Sequence, residues 1–193
     1  PQPWQRLNTT CQPDTIAQAG LPETATPALT LAMIRNEWAR TPFATPNLTL
    51  QPPRQETLVT LPVYATVTWS PTGYQPGQTR TTTLLGRQIH MRPTLHHFNY
   101  DFGDGTQLTT SSPGGPYPTG DVHHPYPHSG RYPIQVTATY GGEYSVDGGS
   151  WFPIGTTVQI PGPAVPCKSS PPKTDSSQTS KSPDSPGTAC APT

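Results

Sequence analysis

Residues 98–106 constrain the fold more than any other stretch of the chain. Aromatic residues occupy every second position here, at Phe98, Tyr100 and Phe102, so an extended chain places three rings on one face. Gly-Asp-Gly follows at 103–105. It suits a chain reversal because glycine accepts positive φ and the aspartate can accept hydrogen bonds from nearby backbone N–H groups. The pattern therefore predicts a half-buried strand that ends in a tight turn.

A second pattern follows downstream. Residues 124–132 read His-Pro-Tyr-Pro-His-Ser-Gly-Arg-Tyr, and apolar or aromatic side chains then occupy alternate positions from Tyr132 to Tyr140. This is the period of a half-buried antiparallel strand.

Together the two patterns resemble the PKD (polycystic kidney disease) domain, an immunoglobulin-like β-sandwich. Three motifs carry the resemblance: an aromatic-Asp-Phe-Gly-Asp-Gly strand end at 100–105, His-x-Tyr at 124–126 and Gly-x-Tyr at 130–132. The family usually has Trp where this chain has Tyr100. The motif residues, which we expect to be structural, are Tyr100, Asp101, Gly103, Asp104, Gly105, His124, Tyr126, Gly130 and Tyr132.

The resemblance implies a role for several of these side chains. His124 is the family histidine, expected to pack under the turn against Tyr126. Tyr132 starts its strand as the tyrosine-corner residue does, so its hydroxyl is expected to bond to upstream backbone. Ile134 takes the place of the second immunoglobulin cysteine, so apolar packing must replace the inter-sheet disulfide.

Similarity to exported actinobacterial PKD-containing proteins covers more of the chain. It rests on Gln-Pro-Pro at 51–53, on residues 57–62 and on the Gly-Glu-Tyr-Ser-Val-Asp-Gly-Gly-x-Trp run at 142–151. It implies a bacterial protein that is secreted or held at the cell surface. The chain begins with Pro, so we expect that an upstream segment, such as a signal peptide, has been removed.

Pattern changes divide the chain into four predicted parts. Residues 1–26 are expected to be irregular. Residues 27–56 are expected to form a helix and an extended lead-in; Thr26 would cap that helix and Pro27 would fill its first position. Residues 57–160 are expected to form the sandwich. Residues 161–193 are rich in Pro and Ser and are expected to be a disordered tail or linker.

Seven strands are expected in all. A strand is predicted at 57–69, and Gly86 is expected to turn a hairpin between 80–85 and 87–92. The connection 106–123 is expected to lie on the surface. Gly141-Gly142 and the 147–149 stretch are each expected to reverse the chain. The remaining predicted strands are 96–102, 131–140, 143–146 and 151–160.

Composition and charge exclude several classes of function. The chain has 11 basic and 11 acidic residues and no net charge, so it has no field to attract nucleic acid or anionic lipid. Its 28 prolines and 17 glycines suit short strands joined by turns. No apolar run approaches the ~18–20 residues that a transmembrane helix needs.

A metal site is not the preferred interpretation of the acidic and histidine residues. Asp101 and Asp104 are candidate calcium ligands, since some PKD-like modules bind calcium, but their spacing does not follow an EF-hand loop. We therefore expect Asp104 to hold the turn through backbone hydrogen bonds and Asp101 to point outward. A zinc site would require His96 or His97 to meet His123 across strands, because neighbours on a strand point to opposite faces. The sequence predicts no bound metal and no cofactor.

The three cysteines are far apart and lack CxxC spacing, which disfavours a thiol redox motif or a zinc knuckle. Cys11 lies outside the predicted tail, and Cys167 follows the last predicted strand. We therefore predict a Cys11–Cys167 disulfide, with Cys190 free or intermolecular.

No enzyme signature is present. The chain has no G-x-S-x-G motif, and the glycines at 103–105 are not followed by a predicted helix, as a phosphate loop requires. The preferred hypothesis is a non-enzymatic exported module that makes protein–protein contacts, with neighbouring copies or a surface partner, through sheet edges or tails. The alternative is a carbohydrate- or surface-polymer-binding module. Its candidate exposed aromatics are Tyr74, Tyr117, Tyr144 and Trp151.

Overall fold

The three alternating rings of residues 98–102 lie in the core of a β-sandwich, as their spacing predicts. The computed structural model describes residues 27–172. Phe98 and Tyr100 are fully buried, and Phe102 is 3 % exposed. Within the described residues there is one helix, α1, at Leu31–Ala39. The strands are β1 Pro46–Gln51, β2 Glu56–Leu58, β3 Pro62–Trp69, β4 Arg80–Leu84, β5 Arg87–Asp101, β6 Gln107–Thr110, β7 His123–Pro125, β8 Gly130–Val146, β9 Phe152–Pro153, β10 Val158–Pro161 and β11 Val165–Ser170.

The strands form two sheets. The smaller sheet has the order β1-β3-β7, and the larger sheet has the order β2-β11-β8-β5-β4. Strand β6 also pairs with β5, and β9 and β10 pair with β8. The pairings are antiparallel, apart from the parallel pair β2–β11. An immunoglobulin-like sandwich is therefore confirmed.

Two clusters of buried side chains hold the layers together. The larger one lies between the sheets and combines residues such as Leu48 and Val63 from the smaller sheet with Val136 from the larger one. The smaller one joins α1 to the far end of the larger sheet. Its buried members are Trp38, Ile89, Met91 and Ile154.

The helix begins later than the sequence predicts. The side chain of Thr30 accepts the hydrogen bond from the Met33 N–H and caps a helix that starts at Leu31. Thr26 lies outside the described residues, and Pro27 precedes the helix. The spacing of Leu31, Ile34 and Trp38 predicts one apolar helix face. Ile34 and Trp38 are buried, whereas Leu31 at the start of the helix is 38 % exposed.

The predicted strand at 57–69 is interrupted. Thr60 has a φ of +70°, and the Leu61 N–H bonds to the Leu58 carbonyl, which makes a turn between β2 and β3. Pro62 is the first residue of β3, a position that a residue without an N–H tolerates. The alternation of apolar residues from Val59 to Trp69 predicts one buried face. Val63, Ala65 and Val67 are buried, whereas Leu61, ahead of β3, is 51 % exposed.

Gly141 and Gly142 do not reverse the chain, so that prediction is wrong. They lie inside the continuous strand β8, and the predicted strands 131–140 and 143–146 are one. A Cβ atom at Gly141 would lie 2.1 Å from the His96 ring, and one at Gly142 would lie 2.4 Å from the Trp38 ring. Both positions therefore require glycine, because neighbouring side chains occupy the space that a Cβ atom would need.

The hairpin around Gly86 is confirmed. Leu85 and Gly86 have φ values of +50° and +77° and form a two-residue turn between β4 and β5. Strand β5 then runs on through residues 96–101, with an irregularity in register between Leu95 and His97. The reversal at 147–149 is also present, and it brings β9 back onto β8.

The connection 106–123 is not confined to the surface. It contains β6, and its later part follows β3. There the Val67 N–H donates to the Pro113 carbonyl and the Ala65 N–H donates to the Val122 carbonyl. Val122 is 1 % exposed, so this connection supplies a core side chain.

The sandwich is longer at both ends than residues 57–160. β1 pairs with β3 ahead of it, and β11 lies within the predicted tail, between β8 and β2. Backbone pairing on both sides stabilises β11 although its sequence is polar, and Cys167 and Ser169 point into the protein. The described residues therefore contain eleven strands, not seven. The irregular segment predicted at 1–26 and the last part of the predicted tail, 173–193, lie outside the described residues.

Candidate functional site

Both aspartates of the Gly-Asp-Gly region fix the turn after β5. The Thr106 N–H donates to Oδ1 of Asp104 at 2.9 Å, and the Gly103 N–H donates to Oδ1 of Asp101 at 2.9 Å. Asp101 does not simply point outward as expected, since its second oxygen also accepts from the Gln107 side chain at 3.3 Å. Gly105 has a φ of +91°, a conformation that other residues rarely adopt.

His124 lies directly under this turn. Its Nε2 atom is 2.7 Å from Oδ2 of Asp104, and its ring stacks on Phe102 with centroids 4.4 Å apart. The edge of Tyr126 packs against the same ring at 4.9 Å. Desolvation raises the pKa of Asp104, but the hydrogen bonds from His124 and Thr106 outweigh it and leave the pKa below its ordinary value.

Two tyrosines complete the cluster around the motif. The Tyr126 hydroxyl donates to the Phe102 carbonyl at 2.8 Å, and the Tyr132 hydroxyl donates to the His128 carbonyl at 3.1 Å. The second bond is the one expected of a tyrosine corner. The two rings stack with centroids 4.1 Å apart. A Cβ atom at Gly130 would lie 2.9 Å from the Tyr132 ring, so glycine leaves room for it.

Tyr100 fits where the family usually has Trp. Its ring is fully buried, and its hydroxyl donates to the Ser112 carbonyl at 3.1 Å. Burial, with a smaller contribution from Asp121, raises the pKa of this phenol. The nine motif residues therefore lie together, and their polar atoms bond mainly to one another and to backbone. Such an arrangement can hold the two sheets in a fixed position relative to each other.

The structure does not assemble the metal site that the sequence left open. His96 lies on β5 of the larger sheet, whereas His123 lies on β7 of the smaller sheet and stacks on Tyr64. Across residues 27–172, no group of three or more His, Cys, Asp or Glu side chains is placed to hold a metal ion.

Cys167 is a buried thiol on β11, opposite Tyr132 of β8. It is 1 % exposed, and burial raises the pKa of its thiol. Cys11 and Cys190 lie outside the described residues, so the Cys11–Cys167 disulfide stays a prediction.

The candidate sugar-binding aromatics do not form one flat platform. Tyr74 and Tyr144 are half-buried, whereas Tyr117 is 69 % exposed and packs on Tyr64 of the smaller sheet. Trp151 is 38 % exposed, but the Arg92 guanidinium of the larger sheet lies 4.4 Å from its ring centre.

A groove of about 490 Å³, which we call the aromatic groove, lies beside the smaller sheet. The sequence indicates Tyr117 as an exposed aromatic residue, but the other residues of the groove wall were not predicted. Tyr64 could have been found, because it alternates with the buried Val63 and Ala65 and its side chain must therefore point away from the core. The lining residues are Gln51, Pro52, Pro53, Thr57, Leu61, Pro62, Tyr64 and Tyr117.

The rings of Tyr64 and Tyr117 stand nearly perpendicular, at 85°, with centroids 5.4 Å apart. The Tyr117 N–H donates to Oε1 of Gln51 at 2.7 Å, which fixes this loop against the end of β1. None of the lining residues carries a charge, so the groove suits an apolar or uncharged ligand.

The helix found in residues 27–172 is too short to cross a membrane.

Comparison with known proteins agrees with the fold. Searches among curated proteins and among solved structures found no match. PKD domains are immunoglobulin-like modules, typically non-catalytic and typical of extracellular proteins, and they often mediate protein–protein or surface contacts. Residues 64–143, which run from β3 into β8, match the family model of the PKD domain, and this match supports a PKD domain in the middle of the chain.

Proposed function

We propose that this chain is an exported, non-catalytic module that joins neighbouring copies of itself at the cell surface or in an extracellular assembly. The observation that carries this proposal is the open edge of β4, at the end of the larger sheet. Within the described residues β4 pairs only with β5, so its other edge offers unpaired backbone groups.

The register identifies which groups these are. A two-residue turn makes the flanking pair Leu84–Arg87 a hydrogen-bonded pair, and such pairs then alternate along the hairpin. The N–H and C=O groups of Thr81 and Thr83 therefore point to the open side. The backbone of Gln88, opposite Thr83, agrees with this assignment because its N–H and C=O bond to Asp147 on the other side of β5.

The charges near β4 do not protect its edge. Arg80 pairs with Glu37 of α1, and Arg87 pairs with Asp147 at 2.8 Å. Between them lie three threonines, two leucines and Gly86, with no lysine or proline of the kind that usually blocks edge pairing.

The open edge of β4 can pair with the same edge of a second copy. In an antiparallel pair of two β4 strands centred on Thr82, Thr81 of each copy faces Thr83 of the other, and each such pair can exchange two hydrogen bonds. The arrangement has twofold symmetry, and a chain with no net charge offers little repulsion to a second copy. A contact of this size is small, so we expect weak association that depends on high local concentration.

Sedimentation velocity of the full chain, from about 1 to about 100 μM, tests this proposal. We expect the parent chain to associate reversibly. Thr83→Lys places a charge on the edge and Thr83→Pro removes an outward N–H, so both variants should stay monomeric. Thr156→Lys, at an exposed threonine away from β4, is the matched control and should associate like the parent.

Cross-linking on intact cells that export the chain provides the second readout. Cross-links between copies that are lost in Thr83→Lys but kept in Thr156→Lys would support the proposal. Association that survives both Thr83 substitutions would contradict it. A strictly monomeric chain that cross-links to nothing but is retarded in a polysaccharide affinity gel would favour the carbohydrate-binding alternative.

A further inference from the structure

The aromatic groove has the chemistry of a site for a proline-rich peptide. Aromatic and proline side chains form most of its wall, where the rings of Tyr64 and Tyr117 pack edge to face. Peptides in the polyproline II conformation have no internal hydrogen bonds, so their carbonyls are free to accept hydrogen bonds from the surface that binds them.

Suitable donors are present at the groove. The hydroxyls of Tyr64 and Tyr117 make no hydrogen bond to another described residue. The Oε1 atom of Gln51 is occupied by the Tyr117 N–H, which leaves the amide Nε2 as a donor. The groove can thus combine ring contacts with hydrogen bonds to peptide carbonyls.

The C-terminal part of the chain leaves the described structure next to this groove. β11 runs parallel to β2, and the Val59 N–H donates to the Ser170 carbonyl at 2.9 Å. Pro171 and Pro172 follow Ser170 at this end of β11, and the groove wall includes Thr57 of β2 and Leu61 of the turn after it.

The sequence beyond Pro172 contains a matching ligand. Residues 183–186 read Pro-Asp-Ser-Pro, the Pro-x-x-Pro spacing that aromatic grooves recognise. The ten residues 173–182 separate this segment from Pro172, a span of up to about 35 Å. A short tether of this kind gives an effective concentration on the order of millimolar.

We propose that the aromatic groove binds the Pro-x-x-Pro segment 183–186 of the same chain. Arg54 follows Pro53 of the groove wall, is exposed and has no ion-pair partner within the described residues, so it offers a positive charge near the groove for Asp184. The C-terminal segment then folds back on the smaller sheet and covers Tyr117. This site is separate from the β4 edge, so each proposal can fail without the other.

Site-specific photo-cross-linking of the full chain tests the inference. Benzoylphenylalanine replaces Tyr117, whose exposure makes the change tolerable, and cross-linked peptides are mapped by mass spectrometry. We expect cross-links to the peptide that contains residues 183–186, within one molecule and independent of protein concentration. The double variant Pro183→Ala, Pro186→Ala should lower their yield by about tenfold.

Two controls make the result specific. Benzoylphenylalanine at Phe152, an exposed aromatic on the larger sheet, should not capture residues 183–186. A mixture of isotopically light and heavy chains separates cross-links within one molecule from cross-links between two. Capture mainly between molecules, capture at other sites only, or a yield unchanged in the double proline variant would overturn the inference.

Discussion

The Nε2 atom of His124 lies 2.7 Å from Oδ2 of Asp104 and joins β7 of the smaller sheet to the turn after β5 of the larger one. The other carboxylate oxygen accepts the Thr106 N–H, and the histidine ring stacks on Phe102. The motif thus connects the two sheets without a disulfide. The core beside it is apolar, with Ile134 fully buried.

Replacing Asp104 with Ala should lower the free energy of unfolding by about 1–2 kcal/mol, comparable to the loss of a helix N-cap. The substitution removes the acceptor of both the Thr106 N–H and the His124 ring. Urea denaturation near pH 7 measures the change. Asp104→Asn keeps an oxygen for Thr106, so its loss should be smaller. An Asp104→Ala variant that unfolds at the same urea concentration as the parent would show that the turn role is wrong.

The stability of the domain should fall in acid, partly through Asp104. Its folded pKa lies below the ordinary value of 3.8, so this group stabilises the fold when pH is above 3.8. The contribution is lost as pH falls from 3.8 through the lower folded pKa, because the carboxyl must then be protonated. Urea midpoints measured between neutral pH and pH 3 should fall less steeply for Asp104→Asn than for the parent. Parallel profiles would contradict this assignment.

Alanine at Gly103 should be more destabilising than alanine at Gly105. Gly105 has a φ of +91° and open space around it, so Gly105→Ala should cost about 1 kcal/mol through backbone strain alone. Gly103 has a φ of +77°, and its Cβ would lie 2.8 Å from Pro133 of β8. Gly103→Ala should therefore cost about 1–3 kcal/mol more, through overlap with β8. Equal losses in chemical denaturation would argue against this account of the turn.

Gly142→Ala should displace Trp38 and loosen α1. The added Cβ would lie 2.4 Å from the Trp38 ring, which is buried between α1 and β8. We expect a loss of about 1–3 kcal/mol and a shift of the Trp38 indole N–H resonance in NMR spectra. Gly149→Ala is the matched control, because its Cβ would meet only the Val146 carbonyl, at 3.2 Å. An unchanged indole resonance in Gly142→Ala would contradict the packing role of this glycine.

The sandwich was predictable because its core strands alternate clearly, as at Phe98, Tyr100 and Phe102. The secondary-structure predictions were wrong where the conformation of a residue depends on a neighbour that is distant in sequence. Gly141 and Gly142 are typical turn residues, and only the positions of His96 and Trp38 explain why β8 continues through them. Strand β11 has a polar sequence and depends on backbone pairing with strands on both sides.

The candidate sites were less predictable than the fold. Pro52 and Pro53 are far from Tyr117 in sequence, and they form one groove with it only after β3 and the 106–123 connection pack together. The open edge of β4 depends on strand order, which the alternation of side chains does not encode.

Amide hydrogen exchange at Thr81 and Thr83, followed as a function of protein concentration, tests the central claim most directly. If two β4 edges pair, both amides should exchange more slowly as the chain associates, while the Thr82 amide, directed toward β5, should change little. Thr83→Lys should remove the slowing at Thr81, and Thr156→Lys should preserve it. Association of the chain with Thr81 and Thr83 still exchanging at their dilute-solution rates would contradict the claim that copies join through β4.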